Sequence, residues 1–138
     1  RYFRRVLRAL ADDGVFFLDA YGGYESYQVV VEEREIDDGG DGFTYIWEQA
    51  SFNPIDHNLV CHIHFGFPDG SEMTEAFSYD WRLWSLPEVC DLLRECGFGR
   101  VTVYWQGWDK DGEPDGDFKP ALQAEPDAGW IAYITAEK

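Results

Sequence analysis

Apolar positions recur at helical spacing in the first residues of the chain. In YFRRVLRALA, residues 2 to 11, Phe3, Val6 and Leu7 share one side of a helix, with arginines between them. The next apolar stretch, VFFLDA at residues 15 to 20, is short and continuous. Such a run is typical of a strand that is buried on both faces in a parallel sheet, so we expect that environment for it.

The middle of the chain alternates between apolar and polar positions, which predicts antiparallel β structure. Asp69-Gly70 is a strong signal for a two-residue hairpin loop. Residues 27–36 fit either an extended or a helical connector. The expected three-stranded meander consists of FTYIWEQASF (43–52), NLVCHIHFGF (58–67) and SEMTEAFSYDWRLW (71–84).

The expected hairpin loop also predicts a register. With Pro68 opposite Ser71, His62 faces Phe77 and Val60 faces Tyr79, and alternation sends these side chains to one face. The opposite face is then purely apolar. The predicted polar and aromatic face carries His62, His64, Phe77 and Tyr79, and the turn before NLVCHIHFGF is expected to add Tyr45, Trp47 and Gln49 to it.

The last third of the chain begins with a helix signal. LPEVCDLLRECGF, residues 86–98, follows Ser85 as N-cap, Glu88 completes a capping box, and Gly97 ends the helix. Two strands are expected at 100–105 and 130–138. A long acidic loop is expected between them.

Composition narrows the classes of function. The chain has 138 residues, 45% hydrophobic and 17% aromatic, which suits one domain. Its net charge of −16 repels phosphate backbones, so we expect no nucleic-acid partner, although the same field would attract a cationic substrate. No run of about 18 apolar residues occurs, so we expect no membrane partner. Three scattered cysteines favour a reducing, cytoplasmic compartment over a disulfide framework.

Three segments resemble the C-terminal half of a class I S-adenosylmethionine-dependent methyltransferase of the small-molecule type. LRALADDGVFFLDAYGG resembles the helix and fifth strand of that family. YDWRLWSLPEVCDLLRECGFGRVTVYW is similar to the next helix and sixth strand, and GWIAYITAEK to the reversed seventh strand. The resemblance implies an α/β fold, or α+β for a fragment, built on the C-terminal part of a Rossmann-like sheet.

The resemblance also implies a domain organisation. It implies one domain over residues 1–138, in which 1–42 hold a helix, the buried strand and a connector. Residues 43–84 then form an inserted antiparallel meander over the substrate, and 85–138 form a helix and a closing hairpin.

S-adenosylmethionine is the cofactor that the resemblance implies for the complete protein, with a small molecule as methyl acceptor. The family's glycine-rich cofactor loop has no counterpart here, because no G-x-G-x-x-G stretch occurs. We therefore expect the cofactor-binding half to be absent and the fragment to be inactive and unable to bind the cofactor alone. We also expect a homo-oligomer through an unpaired edge of VFFLDA. A non-enzymatic β-rich module for ligand binding or dimerisation is the alternative.

Candidate substrate-binding residues follow from position and residue type, and no catalytic residue is identified. Ligands of open α/β sheets bind beyond the carboxyl ends of strands, which favours Asp19, Tyr21 and Gly22. Asp80 and Arg82 are expected either to orient the acceptor or to have a structural role, in which they pair with each other or cap the following helix. The meander contributes Tyr45, Trp47, His62, His64, Phe77 and Tyr79.

His62 and His64 could together serve a metal ion. A pocket wall or a structural role is favoured for them, because methyl transfer from a sulfonium requires alignment rather than a metal. We therefore expect no metal site.

Overall fold

The computed structural model describes residues 1–112 and 114–138, and Glu113 lies outside this range. Within it, the chain forms two α-helices and eight strands, with a short 3-10 helix at Tyr24–Tyr27. In chain order the helices and strands are α1 (Tyr2–Ala9), β1 (Val15–Gly22), β2 (Val30–Ile36), β3 (Phe43–Asn53), β4 (Asn58–Gly66), β5 (Glu72–Arg82), α2 (Leu86–Cys96), β6 (Arg100–Trp108), β7 (Pro114–Pro120) and β8 (Trp130–Glu137).

The chain divides into two compact units. Arg1–Tyr24 and Trp84–Lys138 form the first, which we call the helix-bearing unit. Glu25–Leu83 form the second, which we call the inserted unit because it lies between the two segments of the first in sequence. The sequence predicts an insertion over 43–84 within one domain, whereas the inserted unit begins 18 residues earlier, at Glu25.

The sheet of the helix-bearing unit has the strand order β1-β8-β6-β7. Strand β8 runs antiparallel to both neighbours, and its Ile134 lies opposite Leu18 of β1 and Val103 of β6. The two helices cover the face that carries these residues. Leu93 of α2 and Ile134 are fully buried there, with Phe16, Leu18 and residues of α1 packed against them.

Strand β1 contradicts the prediction of burial on both faces. It pairs with β8 in antiparallel orientation and lies at the edge of the sheet. Phe16 and Leu18 pack against the helix-covered core, while Val15 and Phe17 on the other face are 52% and 57% exposed. A continuous apolar run does not reveal which of its faces is covered, because that depends on other parts of the chain.

The predicted ends of α2 are confirmed. The Ser85 side chain accepts a hydrogen bond from the Glu88 N–H, and the Glu88 carboxylate accepts one from the Ser85 N–H at 2.9 Å. Gly97 closes the helix in the left-handed conformation, with φ of 103°. These contacts satisfy backbone groups that every isolated helix end leaves unpaired.

Strand β7 lies where the sequence predicts only an acidic loop. Pro114–Pro120 pairs with β6, and Phe118 lies opposite Gln106. Its prolines, glycine and aspartates are residues that favour turns and oppose strands. An edge strand tolerates them because one of its sides needs no hydrogen-bond partner.

The inserted unit contains an antiparallel sheet of four strands, in the order β2-β3-β4-β5. The sequence predicts three, because the segment that becomes β2 is rich in charge and gives no clear period. The buried side chain of Gln49 in β3 donates hydrogen bonds to the carbonyls of Glu25 and Gln28, at 2.9 and 2.8 Å. These bonds hold the segment that leads into β2 against the sheet.

Candidate functional site

The turn between β4 and β5 sets the geometry of the candidate site. Phe67 and Ser71 flank a three-residue loop, since the Phe67 N–H donates to the Ser71 carbonyl and the Gly70 N–H donates to the Phe67 carbonyl, both at 2.9 Å. Gly70 has φ of 82° and supplies the left-handed residue of this loop type. The prediction of a two-residue loop is therefore wrong by one residue, and a one-residue shift moves every side chain to the other face.

A bulge in β5 shifts the register again. Ile63 lies opposite Phe77, but Phe65 lies opposite Met73, so β5 has two extra residues at this point. Glu75, within the bulge, has φ of 49°. Its N–H donates to Nδ1 of His64 at 2.9 Å instead of a backbone carbonyl.

In the observed register, the residues that were predicted to share one face lie on two opposite faces of the sheet. His62 lies opposite Ser78 rather than Phe77, and Tyr79 lies opposite Cys61 rather than Val60. On β3, Glu48 lies opposite His62, whereas Trp47 lies opposite Ile63. One face, which we call the histidine face, carries Val31, Ile46, Glu48, His62, His64, Ser78 and Asp80. The other, the aromatic face, carries Tyr45, Trp47, Cys61, Ile63, Phe65, Phe77, Tyr79 and Trp81.

On the histidine face, His64 is held by hydrogen bonds at both ring nitrogens. Its Nδ1 accepts from the Glu75 N–H, so the ring proton belongs on Nε2, which lies 3.0 Å from Oε2 of Glu48. The His64 side chain is 17% exposed and that of Glu48 34%. This arrangement fixes the orientation of the Glu48 carboxylate, because His64 donates to one of its oxygens.

A cavity of about 230 Å³ opens on the same face. Its wall combines apolar residues with the carboxylates of Glu48 and Glu72, a mixture that is typical of small-molecule sites. His62 lies beside it along β4, with its ring centroid 6.1 Å from that of His64 and Nδ1 2.8 Å from Oγ of Ser78. The lining residues are Val31, Ile46, Glu48, His64, Phe65, Glu72 and Thr74.

The aromatic face is held together by ring contacts. Tyr79 stacks on Trp81 with a centroid separation of 4.7 Å and an interplanar angle of 14°, and Trp47 lies 6.3 Å from Tyr79. Burial raises the pKa of the Tyr45 hydroxyl, and the nearby Tyr79 adds to the effect. Burial also raises the pKa of the Cys61 thiol to about 11, partly offset by a hydrogen bond with Trp81. These shifts keep the groups neutral, as expected of packing residues.

Asp80 and Arg82 are on the histidine-face side of β5, near its end. The Asp80 carboxylate accepts a hydrogen bond from the Asn58 side chain at 2.6 Å, and Arg82 lies opposite Asn58 in the ladder. Both residues are exposed. The described contact of Asp80 is therefore with the neighbouring strand.

The three predicted residues at the end of β1 belong to the helix-bearing unit. Asp19 lies opposite Tyr133 and Tyr21 opposite Ile131, on the face away from the helices. Gly22 lies opposite Trp130, whose ring would be 2.3 Å from a Cβ at this position. Glycine at position 22 is thus required by the close approach of the tryptophan.

Sequence reasoning missed Glu48 and Ser78, the two side chains that contact the histidines. The correct register of the β4–β5 hairpin would have assigned Ser78 to this face, and the correct β3–β4 register would have assigned Glu48 to it. In the part of the chain that the structure describes, no three His, Cys, Asp or Glu side chains are arranged to hold a metal ion. No helix among the described residues has the length and apolar character needed to cross a membrane.

Comparison with known proteins gives a similarity to solved structures. The sequence matches no family model and no curated protein. Among solved structures, the chain is similar to the CcbJ methyltransferase from Streptomyces caelestis, with a TM-score of 0.59 and 11% sequence identity. The alignment covers 99% of this chain and 49% of that protein, so this chain spans about half the length of its structural relative. The similarity shows a methyltransferase-like fold with mixed α and β structure.

Proposed function

We propose that this chain is the C-terminal, substrate-covering part of an S-adenosylmethionine-dependent methyltransferase that acts on a small molecule. The observation that carries the proposal is the extent of the structural similarity. It covers 99% of the chain, so both the helix-bearing and the inserted unit take part in the match to a methyltransferase. At 11% sequence identity the similarity supports the fold alone, and we infer the activity from that fold.

The helix-bearing unit supports this assignment through its topology. Strands β1 and β6 run in the same direction on either side of the reversed strand β8, and α2 precedes β6. The reversed direction of β8 agrees with the reversed seventh strand that the sequence resemblance implies.

The cofactor is proposed to bind to residues outside this chain. The 138 residues contain no glycine-rich turn of the G-x-G-x-x-G type between a strand and a helix. When bound, S-adenosylmethionine would supply an electrophilic methyl group. The role of the present residues would be to hold the acceptor in line and to exclude water from it.

The acceptor is proposed to bind in the cavity of the histidine face. That cavity offers apolar contacts from Val31 and Ile46 and a carboxylate, that of Glu48, oriented by His64. A few oriented polar groups in an apolar wall fix the pose of a small ligand. On the aromatic face, by contrast, the rings contact one another.

Two measurements test the proposal. Isothermal calorimetry of the 138-residue chain with S-adenosylmethionine should show no binding, because the chain lacks a glycine-rich cofactor loop. The complete gene product that contains this chain should release S-adenosylhomocysteine with an acceptor selected by thermal-shift screening. Micromolar cofactor binding by the chain alone would refute our placement of the cofactor site, and absence of turnover with every stabilising ligand would refute the activity.

The alternative is a non-enzymatic ligand-binding module, which the cavity of the inserted unit favours by itself. The two functions differ in one readout. A binding module would be stabilised by its ligand, but mass spectrometry would recover that ligand unmethylated after incubation with S-adenosylmethionine and the complete gene product.

A further inference from the structure

The carboxylate of Glu48 keeps its negative charge although it contacts a histidine. Nδ1 of His64 accepts a hydrogen bond from the Glu75 N–H at 2.9 Å, so this nitrogen carries no proton. The imidazole ring is therefore neutral, and its Nε2–H donates to Oε2 of Glu48 at 3.0 Å. A neutral donor orients a carboxylate without cancelling its charge. The pair thus leaves one net negative charge in the wall of the cavity on the histidine face.

The basic side chains of the inserted unit lie away from this charge. The unit contains two arginines and no lysine. Arg34 lies opposite Tyr45, which places it on the aromatic face. Arg82 lies opposite the first residue of β4, six residues before His64, and this separation is roughly 20 Å at about 3.3 Å per residue. Neither arginine of the unit is therefore placed to neutralise Glu48.

The rest of the cavity favours a ligand that joins a positive charge to an apolar group. Val31, Ile46 and Phe65 contribute apolar surface. A carboxylate beside such surface is poorly screened, so it attracts a cation more strongly than it would in open water. Glu72, which is exposed, adds a second carboxylate to the lining. A metal ion would need further ligands, and among the described residues no three His, Cys, Asp or Glu side chains are arranged to hold one.

We infer that this cavity binds an organic cation, whose ammonium group contacts Glu48 and whose apolar part contacts Val31 and Ile46. The inference deepens the proposed function, and only the role of this ligand as methyl acceptor rests on that function. The volume of about 230 Å³ suits a short apolar group, such as a six-membered ring. A neutral ligand gains only the apolar contacts, and an anion is repelled by Glu48 and Glu72.

The charge of the whole inserted unit acts in the same direction. Its 13 acidic residues and two arginines give it a net charge of −11 with neutral histidines, out of −16 for the chain. A surface that carries one sign of charge concentrates ligands of the opposite sign. Added salt screens this attraction, so the affinity for a cation should fall as the ionic strength rises.

Three cyclohexane derivatives test the inference, because they share one ring and differ in charge. Isothermal calorimetry on the complete gene product, at neutral pH and without S-adenosylmethionine, compares cyclohexylamine, which is then a cation, with cyclohexanol and cyclohexanecarboxylate. We expect the amine to bind at least about tenfold more tightly than the alcohol, which corresponds to about 1.4 kcal/mol. The carboxylate should show no binding.

Matched substitutions locate the charge that is responsible. Glu48→Gln keeps an oxygen that can accept the bond from His64 but removes the charge, so it should abolish the preference for the amine. Glu72→Gln should weaken amine binding less, because this side chain is exposed. Glu32→Gln is the control, since it removes the same charge at an exposed position opposite Trp47, on the aromatic face, and should leave the preference unchanged. Far-UV circular dichroism verifies that each variant is folded.

Four results would overturn the inference. These are no binding of the amine at millimolar concentration, equal or tighter binding of the alcohol or the carboxylate, an unchanged preference in Glu48→Gln, and an equal loss in Glu32→Gln. The binding measurement is independent of catalysis. Amine binding that depends on Glu48, without any methyl transfer, would support this inference and refute the proposed activity. Turnover of a neutral acceptor by a protein that does not bind the amine would do the reverse.

Discussion

The two sheets of this chain each contain four strands, yet they bury their side chains by different means. In the helix-bearing unit, α1 and α2 cover one face, and Leu93 and Ile134 beneath them are fully buried. In the inserted unit, no described helix longer than the single 3-10 turn is present. Burial there comes from ring contacts, such as that of Tyr45 in β3 with Phe65 in β4, and from Gln49. On a helix that covers a sheet, the helical repeat decides which side chains face the core. In a sheet that no helix covers, the strand register decides which side chains pack together.

The largest effect that we expect concerns the helix-covered core. Leu93→Ala should reduce the free energy of unfolding of the helix-bearing unit by about 2–5 kcal/mol, because a fully buried leucine leaves a cavity. Hydrogen exchange of individual amides would follow the two units separately. Leu92→Ala is the matched control on the same helix, and its 36% exposed side chain should cost less than about 1 kcal/mol. Equal losses from the two substitutions would refute the proposed core.

The next effect tests whether polar anchoring stabilises the inserted unit. Gln49→Leu removes the donor to the carbonyls of Glu25 and Gln28, and should cost about 1–3 kcal/mol. Amide exchange in the segment before β2 should accelerate most. Ser51→Ala, at an exposed position of the same strand, should change little. Unchanged exchange before β2 in Gln49→Leu would show that the segment is held by other contacts.

The two faces of the inserted sheet can be compared through the kinetics of the proposed methyl transfer, measured on the complete gene product. His62→Phe keeps most of the ring volume and removes the polar atoms beside the cavity, so kcat/KM should fall by about ten- to a hundredfold, or about 1.4–2.7 kcal/mol. Tyr79→Phe on the aromatic face should retain kcat/KM within about twofold. A loss of kcat/KM in Tyr79→Phe but not in His62→Phe would indicate that the substrate binds on the aromatic face. Normal kinetics in both variants would exclude both faces as the substrate site and would favour the end of β1, at Asp19 and Tyr21.

The smallest effect concerns the pH dependence of the inserted unit. The pKa of Cys61 is about 11 in the folded chain against an ordinary value of 9.0, so folding favours the neutral thiol. Stability from this difference is complete below pH 9 and is lost as the pH rises from 9 towards 11, because only the unfolded thiol ionises there. Urea unfolding at several pH values would measure it.

Cys61→Ala is the control for this pH effect. Its stability should fall less steeply over the same pH interval, although Tyr45, whose pKa is also raised, still contributes. Parallel curves for the two proteins would contradict the assignment to Cys61.

Much of the fold could be predicted because its signals are local. The capping box at Ser85 and Glu88 and the left-handed Gly97 act within one turn of helix, so the limits of α2 follow from the residues there. The alternation in β3, β4 and β5 is also local, and these strands lie where the pattern predicts them. The resemblance to methyltransferases rests on the segments that form α1 and β1, α2 and β6, and β8, and it agrees with the structural similarity.

The composition of the candidate site could not be predicted, because register depends on a turn and a bulge that the local pattern does not reveal. A three-residue loop in place of a two-residue loop puts His62 and Tyr79 on opposite faces, and the bulge at Glu75 then brings Ser78 opposite His62. The sequence by itself determined both helices and every described strand except β2 and β7, since those preferences arise from neighbouring residues. Only the tertiary structure decided which side chains share a face, because a bond such as that from the Glu75 N–H to His64 joins residues eleven positions apart.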